Sequence, residues 1–464
     1  MKEFNLSQYK KIHFIGIKGV AMSGLAVICK EKGHEVMGSD VENEFITDKV
    51  LEEKEIAVFS GFYEKNLIWA PDLIVVGGSW DDTNIEVQEA KKQKIRIIME
   101  SDLRGALSRE KITIAVTGVH GKSTTTALLS YIFTFAGLKP SYLVGTAYIP
   151  DLGVNGHWDS GKYFIVEGDE YARSKDDLTP KFLDLEPDTT IITTLEWEHV
   201  DIFKNVEDME KVFEELIQKT KSKVVVCGDW KSIQNIIENY PEKAVIYGHT
   251  SESEWQVSDF DQKLHFSEFR VRKKQKLFGS FELNLMGRFN ALNALACIIV
   301  SLQYGIELDV IREALKTFSG LERRMNVTHV GEITFIDDYG HHPTEVFETL
   351  HAIRQTYSKR NIICVFQPHM ASRTAAFLDQ FSKCFQDADA VVLMDIFQSA
   401  RENDIEIDTK DLYEAIKKNH RHTYYFGDIQ KTAKMFKPYL KSRDIVVTMG
   451  AGDVYKIKNM MFDE

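Results

Sequence analysis

From Val116 to Thr126 the chain reads Val-Thr-Gly-Val-His-Gly-Lys-Ser-Thr-Thr-Thr. Glycines let backbone N–H groups close on a phosphate, and the start of a following helix adds positive potential. Gly118, Val119, His120, Gly121, Lys122, Ser123 and Thr124 are therefore candidates to cradle the phosphates of a nucleotide. Lys122 is expected on the terminal phosphates, and the Ser123 hydroxyl in the shell of a Mg²⁺ ion. The common form of such a loop has glycine five residues before Gly121. That position holds Val116, so this is a shortened Gly-x-x-Gly-Lys-Ser loop. A glycine turn ahead of a helix is often only a turn; the Gly-Lys-Ser triplet favours the nucleotide.

Four further clusters could do chemistry. Glu167-Gly168-Asp169-Glu170 and Glu196-Trp197-Glu198-His199 each follow an apolar, β-prone run. Acids and histidine at strand ends lie where an open α/β sheet binds ligands, and can ligate a metal directly or through water. Asn290 and Asn293 are three apart at the start of an apolar helical run, so they share a face and can reach an adenine edge. Without the phosphate loop they would read as capping residues. Gly16-Ile17-Lys18-Gly19 follows the apolar run 12–17, and Ser39-Asp40 ends the next strand-like run. That is the layout of a dinucleotide-type βαβ unit whose acid takes ribose hydroxyls, although Lys18 and Ala21 stand where glycine is usual.

These clusters need sheets to hold them. Apolar runs alternate with helical periodicity, which predicts an α/β protein of three domains. Residues 1–107 read as a Rossmann-like domain and 108–319 as a phosphate-loop domain with a parallel sheet. An antiparallel insert over 255–285 surrounds the basic turn 270–274, most simply a solvated hairpin tip. Residues 320–464 read as a second Rossmann-like domain, with polar clusters after its strands at 337–343, 367–369 and 450–453.

Composition bounds the partners. The net charge of −13 disfavours nucleic acid. No apolar run is long enough for a membrane span and no secretory leader is legible, so a cytoplasmic location is expected. The five cysteines lack Cys-x-x-Cys spacing and read as reduced thiols. Nothing in the sequence speaks to oligomeric state.

In order along the chain stand HFIGIKGVAMSG, TGVHGKSTTT, EGDE, TLEWEHVD, GRFNALNA, LERR, DDYGHHPTE, QPHMASRT and MGAGD. Together they resemble the Mur ligases, ATP-dependent enzymes that build the peptide stem of peptidoglycan. The resemblance implies that the first domain binds UDP-N-acetylmuramate, the second ATP, and the third an amino acid or peptide amine. It implies Gly16, Lys18, Gly19, Ser39 and Asp40 at the UDP-sugar site, and Ser123, Glu167 and His199 around the metal. It implies Arg324 and Asp338 near phosphate and ribose, Tyr339, His342 and Arg373 at the amine, and Lys122, Glu167, His199 and His342 as the catalytic set. The chain departs from the pattern at Thr194, where asparagine is usual, at Glu198, where aspartate is usual, and at Met370, where an arginine would help hold the incoming carboxylate.

The motifs divide over the amine. EGDEY and EWEHVDIF are similar to members that return a murein tripeptide to UDP-N-acetylmuramate; DDYGHHPTEV, QPHMASRT and MGAGD are similar to members that add L-alanine. Because the third domain receives the amine, L-alanine is the expectation, and L-alanyl-γ-D-glutamyl-meso-diaminopimelate the alternative. A non-catalytic nucleotide sensor on the same fold is a further alternative. A folylpolyglutamate-type ligase is disfavoured, because such enzymes begin with the ATP domain.

Overall fold

In the computed structural model, which describes residues 4–397 and 407–462, three sheets follow one another along the chain. The first is parallel: β1 (Lys11–Ile15), β2 (Glu35–Asp40), β3 (Ala57–Ser60), β4 (Leu73–Val76) and β5 (Arg96–Met99), in the order β3-β2-β1-β4-β5. Strand order reverses at β1, and the Gly16–Gly19 turn leaves β1 there to start the helix Val20–Glu31. The helix Glu100–Arg109 closes this unit and leads into the next.

The central sheet has ten strands: β6 (Ile112–Thr117), β7 (Ser141–Ile149), β8 (Gly153–His157), β9 (Tyr163–Glu167), β10 (Thr189–Ile192), β11 (Lys223–Cys227), β12 (Ala244–Gly248), β13 (Trp255–Gln262), β14 (Ser267–Lys273) and β15 (Lys276–Leu283). Their order is β15-β14-β13-β12-β11-β10-β6-β9-β7-β8. The core strands run parallel, while β7–β8 and β13–β14–β15 are antiparallel. The insert expected at 255–285 is therefore present. β6 lies between β9 and β10, with Val116 opposite Glu167 and Thr117 opposite Ile192. That register puts the phosphate loop and both acidic clusters on one edge.

The third sheet holds β16 (Asn326–Val330), β17 (Ile333–Asp338), β18 (Ile362–Phe366), β19 (Ala390–Met394), β20 (Thr423–Gly427) and β21 (Ile445–Met449), ordered β16-β17-β21-β18-β19-β20. It is mixed: β16 pairs antiparallel with β17, and the other pairs are parallel. Among the described residues no helix is long and apolar enough to cross a membrane. All five cysteines are buried and unpaired.

Candidate active site

The phosphate loop turns sharply because Gly118 and Gly121 have φ of +123° and +80°. Both are also hemmed in: a Cβ on Gly118 would lie 2.3 Å from Thr193 Oγ1, and one on Gly121 2.6 Å from Asn293 Oδ1. The hydroxyl of Thr194 accepts the His120 N–H at 2.7 Å, so the usual asparagine is replaced by a residue that still fastens the loop. The helix Lys122–Phe135 then carries Ser123 and Thr124 into a cleft of about 510 Å³ between the second and third sheets. Asn290 and Asn293 line the same cleft, with the Asn293 amide donating to Asn290 Oδ1 at 3.1 Å. Asn290 also ties the helix start to the preceding segment by donating to the Met286 carbonyl at 2.7 Å.

Arg324 and Asp338 face the cleft from the C-terminal side. The Asp338 carboxylate accepts the N–H groups of Met325 (2.9 Å) and Gly340 (2.8 Å), so it ties the crossing segment to the end of β17. Burial pushes this carboxyl up to about 6, against the pull of Arg324. Tyr339 lies half-buried, its ring 5.2 Å from the Arg324 guanidinium and edge-on to His341.

Behind the loop, Lys122 Nζ donates to the carbonyls of Gly118 (2.6 Å) and Val119 (3.1 Å) and to Glu170 Oε1 (2.8 Å). Glu170 also meets His199 Nε2 at 3.0 Å. Glu167 instead accepts the Ser123 hydroxyl at 3.1 Å and the Gly145 N–H at 2.7 Å. The sequence grouped Ser123, Glu167 and His199. The structure joins Ser123 to Glu167, and His199 to Glu170, with Lys122 between the two pairs. Asp169, the intervening acid, faces away and pairs with Lys181 at 2.9 Å.

These groups fit Mg²⁺. A hydroxyl and two carboxylates are hard oxygen donors. The Oε2 of Glu170 is buried without a hydrogen-bond partner among the described residues. Burial raises the Glu167 carboxyl despite Lys122, so a further cation beside it would favour its ionised form.

A second cluster closes the cleft toward the third sheet. His120 Nε2 meets Glu196 Oε1 at 2.5 Å, and its Nδ1 lies 3.3 Å from Glu345 Oε1. Burial works against its charge, but the two carboxylates outweigh burial and raise the imidazole to about 10. His120 is thus a cation at neutral pH, shared between a central acid and one on the helix Pro343–Thr356. His342 caps that helix: its Nδ1 accepts the Thr344 N–H at 3.3 Å, which places the proton on Nε2. That Nε2 is buried without a hydrogen-bond partner among the described residues, 3.9 Å from Glu198 Oε2. Burial and the neighbouring His120 cation lower the His342 pKa, so the ring stays neutral.

Arg373 is buried and holds Glu198 Oε1 through Nε and Nη2, both at 2.8 Å. Burial opposes the Glu198 charge, but Arg373 overcomes it and holds the carboxyl well below its usual range. His369 lies against Arg373 at 3.3 Å, and His341 stacks edge-on to His369. Burial and the guanidinium lower His341 to about 3 and His369 to about 4. Sequence reasoning singled out His342 and passed over its neighbour, although it is His341 that turns toward His369. It also missed Glu345 and Gly145. Glu170, the last of three acids in Glu-Gly-Asp-Glu, was within the candidate cluster but not assigned to the metal; Glu345 and Gly145 are joined to the site only by the fold.

At the N-terminal turn, the Ser39 carbonyl accepts the N–H groups of Gly16 (2.8 Å) and Ile17 (3.2 Å). The Ser39 hydroxyl points inward to Glu86 at 2.5 Å, so this residue fastens the turn and does not present its side chain to a ligand. Asp40 accepts the Lys18 N–H at 2.7 Å, and Lys18 Nζ donates to the Asn43 carbonyl at 2.8 Å. Gly19 opens the helix Val20–Glu31.

Three family models match the chain in succession: "Mur ligase family, catalytic domain" over residues 11–111, "Mur ligase middle domain" over 116–301, and "Mur ligase, glutamate ligase domain" over 323–452. The chain belongs to the Mur ligase family. Members are ATP-dependent ligases, and this chain is one of them. It is 36% identical to a UDP-N-acetylmuramate–L-alanine ligase of Caldanaerobacter subterraneus subsp. tengcongensis, over 100% of this chain and 99% of that one. Among solved structures, the UDP-N-acetylmuramate–alanine ligase of Thermotoga maritima superposes with a TM-score of 0.82 at 25% identity, covering 98% of each chain. The UDP-N-acetylmuramate:L-alanyl-γ-D-glutamyl-meso-diaminopimelate ligase of Neisseria meningitidis superposes with a TM-score of 0.62 at 29% identity, covering 68% of this chain and 99% of that one.

Proposed function

We propose that this Mur ligase joins L-alanine to the carboxylate of UDP-N-acetylmuramate at the expense of ATP. The observation that carries the reading is end-to-end similarity to an L-alanine-adding relative, at 36% identity over the whole chain. The domain assignment 1–107, 108–319 and 320–464, with UDP-sugar, ATP and amine in that order, is part of this proposal.

A carboxylate acylates amines poorly, so the muramoyl carboxylate first takes the γ-phosphoryl group of ATP. The amine then attacks the acyl phosphate, and the tetrahedral intermediate expels phosphate. Backbone N–H groups of the Gly118–Thr124 loop hold the phosphates, and Lys122 offsets charge as the phosphoryl group moves. Ser123, Glu167, Glu170 and His199 would hold Mg²⁺, which supplies further charge neutralisation there. Asn290 and Asn293 face the base, and Arg324 and Asp338 approach phosphate and ribose. On the amine side, Arg373 offers a guanidinium for a carboxylate. His341, His342 and His369 are neutral, so they do not repel an incoming ammonium.

Phosphate release in the presence of ATP, Mg²⁺, UDP-N-acetylmuramate and single amines tests the reading. L-alanine should give the highest kcat/KM. A higher kcat/KM for L-alanyl-γ-D-glutamyl-meso-diaminopimelate would replace L-alanine with the tripeptide, and ATP binding without any turnover would leave a nucleotide sensor.

A further inference from the structure

Where the N-terminal domain meets the central one, four charged side chains come together, three withdrawn from water and the fourth, Asp169, about a third exposed. Arg104, on the helix Glu100–Arg109, donates to Glu100 Oε2 at 2.6 Å, and both side chains are only 3% exposed. Lys181, beyond the second domain's β9, lies 3.2 Å from Glu100 Oε1 and donates to Asp169 Oδ2 at 2.9 Å. The other Asp169 oxygen accepts the Tyr171 N–H at 3.0 Å. Arg104 Nη1 reaches the main-chain carbonyl of Glu167 at 3.3 Å, and its Nε is buried without a partner among the described residues. Burial works against every one of these charges, yet the pairing prevails: it lowers the Glu100 and Asp169 carboxyls and raises Lys181 and Arg104.

An apolar contact would join two domains at less cost than buried ions, which lose their hydration. What the ionic arrangement adds is direction. Arg104 and Lys181 grip Glu-Gly-Asp-Glu at its first and third residues, the Glu167 carbonyl and the Asp169 carboxylate. The side chains of its first and fourth residues, Glu167 and Glu170, are then left to face Ser123, Lys122 and His199. Nothing in the sequence pattern of the phosphate loop calls for Glu100 or Arg104, which lie in a different domain.

We infer that Glu100 and Arg104 are positioning residues of the N-terminal domain that, directly and through Lys181, set the placement of the Glu167 and Glu170 carboxylates for a nucleotide-bound divalent cation. The inference rests on the metal assignment in the proposed function. A test that needs no turnover keeps the two apart: titration of the full chain with Mg²⁺·ADP by calorimetry, and separately with UDP-N-acetylmuramate. Glu100→Gln should weaken Mg²⁺·ADP binding roughly 10-fold, the lower end of what loss of an outer partner costs a metal site. Its affinity for UDP-N-acetylmuramate should stay within about twofold, and Glu100→Asp should recover part of the loss. A general loosening of the seam would weaken both ligands together, and that result overturns the inference. So does unchanged Mg²⁺·ADP affinity. Should Glu100→Gln fail to fold, Lys181→Arg keeps the charge, changes the reach, and carries the same expectation. Absence of Mg²⁺-dependent ADP binding by the unaltered chain would instead overturn the metal assignment itself.

Discussion

His120 sits between Glu196 and Glu345, which come from different domains, and its charge is part of what holds them together. Its pKa is raised from 6.5 to about 10, so the sign of its contribution is fixed. Below pH 6.5 folded and unfolded chains both carry the proton, and the stabilisation is fully present. Between 6.5 and about 10 only the folded chain holds it, so stability falls as pH rises through that window. His120→Gln should be less stable than the parent by about 2 kcal/mol at pH 6, the scale of hydrogen bonds to charged groups. Thermal unfolding of the two proteins across pH should show the gap closing toward pH 10; a gap independent of pH would mean that the ring acts through packing alone.

At the scale of elements, the hairpin β7–β8 forms one edge of the central sheet and packs on the helix Val20–Glu31. Asn155 donates to the Val20 carbonyl at 2.7 Å, and Glu31 accepts the Trp158 N–H at 2.8 Å. Gly156 lies so close that a Cβ would stand 2.1 Å from the Gly24 carbonyl oxygen, and backbone cannot yield as a side-chain end can. Gly156→Ala should therefore cost about 1–3 kcal/mol, the usual range for overpacking, read as a lower denaturant midpoint with little change in slope.

This hairpin was not legible in the sequence, because glycines at 145, 153 and 156 blur its alternation and its partner helix lies more than a hundred residues back. The β13–β15 insert was legible, since Phe269 and Val271 alternate cleanly with polar neighbours. The Gly-Lys-Ser loop and the acids after β9 and β10 were legible for the same local reason: turn and strand chemistry lie within a few residues. Which acid meets which cation was not. Glu170 reaches Lys122 across 48 positions, and Arg373 reaches Glu198 across 175. His341 and His342 are adjacent, yet only the second is claimed by a helix cap, and so they serve different sides of the cluster.

Over the whole molecule the two seams differ in kind. The first two domains share one apolar core, in which Leu25 and Leu103 belong with Phe164 and Phe182. The third domain meets the second through the His120 cluster, the Trp197–Phe377 ring contact and the Arg373–Glu198 pair. The chain crosses between them where Gly320, Arg323 and Met325 have φ of +87°, +57° and +52°. Two non-glycine residues in that region are held by context, in part by Asp338.

The Arg373–Glu198 pair carries a consequence for affinity. If Arg373 receives the carboxylate of the amine substrate, the chain already supplies a carboxylate of its own to the same guanidinium. Glu198 is then a tethered rival of the substrate, present at high local concentration and never washed away. The measured KM for the amine would include the work of displacing it, and free amino acid would bind only to the fraction of molecules in which the pair is open. Glu198→Gln keeps an oxygen for the arginine but removes the rival charge. It should lower the KM for L-alanine several-fold while leaving that for ATP in place, and a raised KM would recast Glu198 as the ammonium's partner instead of its carboxylate's competitor.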